Sequence, residues 1–483
     1  MTTLPVILSN LCIGANDMGG FFGVTSHGDC VADLFYGTDY HSHLGTRRGG
    51  MAVCNDKDFM RYIHDISNAQ FRSKFELDVL KLTGRSGIGV ISDYEDQPLL
   101  ISSHLGNYAI VTVGAIKNIK ELVKKAFANR VTHFSEMVGG EINPTELVAT
   151  IINQGSTIKE GLKLVQESIE GSCSILLLTT EGIYASRDKY GRTPIVIGKK
   201  NGSYAVAMDT CAFPNLEYEI EHYLGPGEIT LVKPEGYQTV APAGDKLKIC
   251  TFLWIYYGYP ASSYEGINSE VVRNRNGRLL AKNDDVVIDS VSGIPDSGVG
   301  HALGYAHEAK VPYTRSFVKY TPTWSRSFMP QHQKKRDLIA SMKLIPVREL
   351  IDGKKLLYCD DSVVRGTQLR DIISRLYNCG AKEIHMRLAC PPLVYTCKYL
   401  NFSRSRNEMD LAARREISKL EGGVCKNLEA YTDSSSECYK KMVNNIREGL
   451  GLTTLKYQDL KSMLDAVGLP HENLCTYCWD GKE

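Results

Sequence analysis

The sequence predicts two structural classes in one chain, an α+β unit followed by an α/β unit, and three observations carry that reading. Short β-type runs alternate with helical patterns through the first half. Two strand-loop-helix units recur after about residue 245. The length, 483 residues with 43% hydrophobic and 23% charged, supplies cores for two or three domains and excludes disorder.

Taken in order, Gly20-Phe-Phe-Gly-Val24, Ala109-Ile-Val-Thr-Val113, Ser174-Ile-Leu-Leu-Leu178 and Pro194-Ile-Val-Ile-Gly198 read as strands. Glu121 to Phe127 and Pro144 to Ile152 read as helices between them. In the second half, Asp285-Val-Val-Ile-Asp-Ser-Val291 reads as a buried strand, Gly293 to Gly298 as a loop and Val299 to Ala309 as a helix. The unit repeats from Lys355 to Gly380: a strand, an acidic loop, then a helix with Leu369, Ile372, Ile373, Leu376 and Tyr377 on one face and Gly380 as its stop. Two such units imply a parallel sheet with ligand loops at the carboxyl ends of its strands.

Lysine plus arginine (56) nearly cancels aspartate plus glutamate (55), which argues against a nucleic-acid or anionic-membrane partner; an anionic ligand must be held locally. No apolar run approaches the roughly 20 residues of a membrane span, and no basic segment opens a signal peptide, so a cytoplasmic protein is expected. The 14 cysteines are too sparse for a disulfide scaffold. Most lie in apolar runs as core residues. Cys475-Thr-Tyr-Cys478 stands out as a CxxC pair, which is half of a metal or cluster site and a weak signal by itself.

The richest stretch is Cys359-Asp-Asp-Ser-Val-Val-Arg-Gly-Thr367. Backbone amides in a small-residue turn that enters a helix form a phosphate cradle. Asp360 and Asp361 repel phosphate, so they face hydroxyls or a magnesium ion. A phosphorylated sugar meets both demands; helix capping by the two acids is the competing reading.

This string resembles the signature of type I phosphoribosyltransferases and, more narrowly, that of the glutamine phosphoribosylpyrophosphate amidotransferase (amidophosphoribosyltransferase) family. Gly293-Ile-Pro-Asp-Ser-Gly298, Met342-Lys-Leu344, Cys390-Pro-Pro-Leu-Val-Tyr-Thr-Cys397 and Trp254-Ile-Tyr-Tyr through Asn268 follow the family's order, so the likeness covers nearly the whole chain. It implies an Ntn-hydrolase-like αββα sandwich, a class II glutamine amidotransferase, over 19–245. A type I phosphoribosyltransferase domain would follow over 246–465, with a cluster-binding tail at 466–483 and an extension at 1–18.

The resemblance assigns Asp360 and Asp361, with Ser297, to magnesium and the ribose of phosphoribosyl pyrophosphate (PRPP). Ser362, Val363, Val364, Gly366 and Thr367 would hold the 5′-phosphate. Asp296, Ser297, Lys343 and Arg365 would lie near the pyrophosphate, Asp360, Asp361, Arg365 and Lys343 forming the catalytic set. Lys319 to Pro330 corresponds to a lid, with Lys319 and Arg326 kept as its substrate contacts, while Lys334, Lys335 and Arg336 read equally as a solvated face. Cys250, ahead of an Ile-Tyr-Tyr strand, and Cys397, Cys475 and Cys478 fall where iron-sulfur members bind a 4Fe-4S cluster; a zinc site using His471 is the alternative.

In the first half the same comparison finds the scaffold without its chemistry. Gly19 stands where the nucleophilic cysteine belongs, and Ser92 and Val113-Gly114 replace a substrate arginine and an Asn-Gly oxyanion pair. Pro144 replaces the acid that binds the substrate amine, and His43-Leu-Gly-Thr46 also lacks an arginine. Neither Cys12 nor Cys30 offers its own α-amino group as a base. The expectation is therefore a phosphoribosyltransferase with a degenerate glutaminase half. It would use ammonia from solution or a partner, giving 5-phosphoribosylamine and pyrophosphate in purine nucleotide synthesis, and would self-associate as a dimer or tetramer. Transfer to another amine, or a PRPP- or nucleotide-binding regulatory pseudoenzyme, are the rival expectations.

Overall fold

The computed structural model describes residues 19–55, 58–128, 133–135, 137–138, 141–282, 284–320, 344–400, 407–423 and 425–482. The extension at 1–18, Arg326 and Lys343 lie outside the described residues.

In the first half, period-two alternation builds two stacked antiparallel sheets. Gly19–Ser26 is central in a seven-stranded sheet, flanked by Ser203–Ala207 and Ser86–Ser92. The second sheet has six strands, with Gly171–Thr179 between Gly182–Ser186 and Gly106–Ile116. Phe21, Val90, Val111, Leu176 and Leu178 fill the space between the sheets. On the seven-stranded sheet's outer face, Phe22, Val24 and Met51 meet residues of helices Val31–Asp39 and Phe71–Val79. Ile110, Ile175 and Leu177 meet Pro144–Ile152 and Ile158–Ser168 on the other side. The result is the expected αββα sandwich.

The second half centres on a parallel four-stranded sheet in the order Ser290–Gly293, Lys355–Asp360, Glu383–Leu388, Thr454–Tyr457. Helices Ser269–Lys282 and Val299–Ala309 pack with Val291, Leu357 and Cys359 on one face. On the other, Leu369, Ile373 and Leu376 of helix Thr367–Asn378 join Tyr358, Met386, Met442 and Ile446. Each such fully buried aliphatic contributes about 1.5–3 kcal/mol relative to exposure. Among the described residues no helix is long and apolar enough to cross a membrane.

Two elements differ from the sequence expectation. The strand expected over Asp285 to Val291 begins only at Ser290, and Val287 is 80% exposed. Asp284 is drawn to Arg387, Lys456 and the Tyr305 hydroxyl, and Asp289 accepts the Lys355 amide, so pairing starts at Ser290 with Leu356. The expected Ile-Tyr-Tyr strand is a wide helical turn, Leu253–Tyr257. The buried Arg273 guanidinium gathers the carbonyls of Trp254, Tyr256 and Gly258 and curls the chain around itself.

Candidate functional site

The loops at the carboxyl ends of strands Ser290–Gly293 and Lys355–Asp360 meet face to face. Gly298 makes this approach available, since a Cβ there would lie 2.0 Å from the Cys359 carbonyl. The Ser297 hydroxyl donates to Asp360 Oδ1 at 2.8 Å, and the Asp361 amide donates to the same oxygen at 2.9 Å. Asp361, 7% exposed, takes the Ser362 hydroxyl on Oδ2 at 2.7 Å. Burial, then the neighbouring Asp361 charge, pushes the Asp360 carboxyl well above its usual range. Two crowded acids beside a hydroxyl form an all-oxygen donor set, and a divalent cation relieves their repulsion; the residues fit magnesium.

Beyond the acids, Gly366 adopts φ 76° and turns the chain into helix Thr367–Asn378, whose first turn has no side-chain cap. Its leading N–H groups and positive dipole end suit a phosphate. Val363 is buried beneath the turn. The structure thus brings together Ser297, Asp360, Asp361, Ser362 and the cradle. Lys319 Nζ pairs with Asp296 across the mouth, both exposed. Arg365 points to Asp410 Oδ2 at 3.2 Å rather than toward the acids.

The four cysteines singled out in the sequence converge at the seam between the halves. Ile249–Cys250 pairs in parallel with Leu474–Cys475, Cys250 opposite Cys475, and the Val394 and Tyr395 amides donate to the Cys478 carbonyl. A hydrogen bond with Cys478, aided by the Leu400 and Tyr399 amides, draws the Cys397 thiol down to about 6 against its burial. The Cys478 thiol rises correspondingly, and burial raises Cys250 and Cys475. Arg192, from the first half, donates Nη1 to Cys475 Sγ at 3.1 Å and stacks 3.3 Å from the Tyr399 ring centroid.

A single tetrahedral zinc, with bonds near 2.3 Å, would hold its sulfurs about 3.8 Å apart. Among the described residues no three of these thiols have donor atoms within 4.8 Å of one another. His471 bonds Asp465 instead, at 2.8 Å. The wider quartet, supported by N–H donors to sulfur, fits a multinuclear cluster better than one ion. Arg192 escaped sequence reasoning, because its partner lies 283 positions away.

The positions that the family likeness assigns to a glutaminase also come together. Gly19 pairs with Ser92, and a Cβ on Gly19 would lie 2.6 Å from the Ile91 carbonyl oxygen and 3.5 Å from Val113. Gly114 follows with φ 151°. Pro144 opens a helix that Asn143 caps, its side chain accepting the Thr145 amide at 2.8 Å. Gln97 donates to Glu95 Oε1 and to the Thr112 carbonyl while accepting the Thr112 amide. Thr145 bonds both Thr112 and Glu95. These polar groups satisfy one another. The thiols of Cys30, Cys173 and Cys211 are raised by burial, so none of the three is poised as a thiolate.

Comparison with known proteins gives a consistent picture. Residues 85–214 match a family model described as a glutamine amidotransferase domain. An amidophosphoribosyltransferase of Methanocaldococcus jannaschii is 28% identical over 96% of this chain and 97% of its own length. A chloroplastic one of Vigna aconitifolia is 30% identical over 94% of this chain and 89% of its own. The structure of the Bacillus subtilis glutamine PRPP amidotransferase complexed with ADP and GMP superposes with a TM-score of 0.83 at 26% identity, covering 96% of each chain.

Proposed function

The chain belongs to the amidophosphoribosyltransferase family, and from that premise we propose that it transfers the phosphoribosyl group of PRPP to ammonia, with a glutaminase half that no longer hydrolyses glutamine. The products are pyrophosphate and 5-phosphoribosylamine, for purine nucleotide synthesis. The observation that carries this reading is the Ser297–Asp360–Asp361 cluster beside an uncapped helix start.

In this reading Asp360 and Asp361 orient the ribose hydroxyls, with Ser297 fixing Asp360. Amides from Ser362 to Thr367, through Val363, Val364 and Gly366, hold the 5′-phosphate. Asp360, Asp361 and Ser297 would hold magnesium, which when bound would supply positive charge to offset that of the leaving group. Ammonia bonds to C1 as the C1–oxygen bond breaks, the electron pair leaves with pyrophosphate, and the new ammonium loses a proton to solvent. Lys319, Arg326, Lys343 and Arg365 serve the pyrophosphate; Arg365 must leave Asp410 to do so. Asp296 holds Lys319 at the mouth.

Cys250, Cys397, Cys475 and Cys478 would hold a 4Fe-4S cluster, which supplies a covalent clamp between tail and body. The working division is 19–245 for the glutaminase-like unit, 246–465 for the transferase and 466–483 for the tail. The described cysteines are free thiols, which suits a reduced cytoplasmic setting. Self-association as a dimer or tetramer completes the proposal.

The test is magnesium-dependent pyrophosphate release from PRPP. Release with ammonia supports the proposal. Release only with a different amine changes the nucleophile, and binding without release makes the chain a regulatory PRPP binder. Iron and sulfide analysis after anaerobic reconstitution checks the cluster: about four irons per chain, lost on Cys397→Ser, is the expected result.

A further inference from the structure

We propose that His43, Asp209 and Cys211 form a binding site for one soft divalent cation of the zinc class, at the seam between the two halves. The nitrogen, oxygen and sulfur donors of the three side chains lie within 4.8 Å of one another, the one such group among the described residues. Asp209 is 1% exposed and Cys211 5%, while His43 forms the more open rim. Asp209 leads the short turn Thr210–Ala212, which folds Cys211 back so that its amide donates to Asp209 Oδ1 at 3.4 Å.

Two further observations point to a ligand. His43 Nδ1 lies 3.0 Å from the Tyr40 carbonyl oxygen, which holds the ring by one nitrogen. The other nitrogen, Nε2, faces Asp209 Oδ2 at 2.9 Å. Metal-binding histidines anchor one ring nitrogen on a carbonyl or carboxylate and give the other to the ion; here Tyr40 can anchor Nδ1, and an ion taken by Nε2 would be shared with Asp209. The second is Ser262. Its side chain is fully buried and its hydroxyl lies within hydrogen-bonding reach of the Cys211 thiol. A buried hydroxyl oxygen next to a thiol is a further donor for a cation, or for water on it.

The donor types select the ion. Magnesium and calcium take oxygen, whereas a mixed nitrogen, carboxylate and thiolate set suits zinc-class metals and leaves a fourth position open. On binding, the Cys211 S–H proton passes to solvent as the metal-sulfur bond forms. A doubly charged cation with one carboxylate, one thiolate and a neutral imidazole is electrically neutral, which a buried seam tolerates. The site reaches both halves: Asp209 Oδ2 also accepts the Tyr264 hydroxyl at 3.2 Å, and the Ser263 amide donates to Thr210 Oγ1 at 2.8 Å. A bound cation would therefore fix, from the first half, the Asp209 turn on which Tyr264 and Ser263 of the second half rest, independently of the cysteine quartet.

Zinc titration of the chelator-stripped full chain, read against a chromophoric competitor, tests this. The wild type should bind one more zinc equivalent than Cys211→Ser, a difference to which thiols elsewhere contribute equally. His43→Gln, at the rim, should weaken that zinc roughly tenfold or more. Cobalt should give a thiolate charge-transfer band that Cys211→Ser diminishes. Equal zinc binding by all three proteins, or a cobalt spectrum unchanged in Cys211→Ser, would overturn the proposal. If Cys211→Ser fails to fold, His43→Gln decides: unaltered zinc affinity refutes the site.

Discussion

The loop after Tyr358 and the pocket around Glu95 both gather carboxylates and hydroxyls at the end of a strand, yet they handle their polar groups in opposite ways. Asp360 and Asp361 crowd two acids together, and the Asp360 carboxyl is pushed well up by burial and its neighbour. Around Glu95, by contrast, Gln97, Thr112 and Thr145 interlock. A site kept for a ligand carries electrostatic strain that the ligand relieves. Under the proposed function, the Glu95 cluster is a site that has lost its ligand and closes over its own hydrogen bonds.

The largest expected effect tests the strained side. Asp361→Asn should lower ammonia-driven pyrophosphate release about 10²–10³-fold, as removal of one preorganised electrostatic group does. Loss of less than tenfold would place the chemistry elsewhere. The closed side is tested by Gly19→Cys, which restores a thiol at the family's nucleophile position. Because the new Cβ meets the Ile91 carbonyl at 2.6 Å, it should destabilise the fold by about 1–3 kcal/mol in urea and yield no glutaminase activity.

A smaller effect is expected from Asn143→Ala, which removes the cap of helix Pro144–Ile152 and should cost about 1 kcal/mol in the same assay. The smallest is a sign test. Asp360's folded pKa lies above its unfolded value, so the folded state is favoured below the unfolded pKa and loses that advantage as pH rises through the folded one. Without magnesium, Asp360→Asn should therefore slightly raise the melting temperature at neutral pH. A fall in melting temperature would contradict the strain assigned to the acid pair.

How much of this was legible in the sequence follows from the range of the forces. Helix Pro144–Ile152 carries its own signals, Asn143 and Pro144, and forms where the pattern places it. The acidic loop is partly local, with Ser362 next to Asp361 and Gly366 opening the helix that follows, while Ser297 reaches Asp360 from 63 positions away. Strand Ser290–Gly293 was overextended, because its start depends on Arg387 pulling Asp284 aside across 103 positions. The Leu253–Tyr257 turn depends likewise on Arg273. The cysteine quartet was found through family likeness, whereas Arg192 and the grouping of His43 with Asp209 and Cys211 give no sequence signal at all. Their partners meet only after both sheets have stacked.

The contrast between the halves is tested most directly by measuring phosphoribosylamine-linked pyrophosphate release in one magnesium-containing preparation, supplied in turn with ammonia and with saturating glutamine. The account predicts turnover with ammonia and none above background with glutamine. Equal rates with the two donors would contradict it, showing that the interlocked pocket of the first half still opens to substrate.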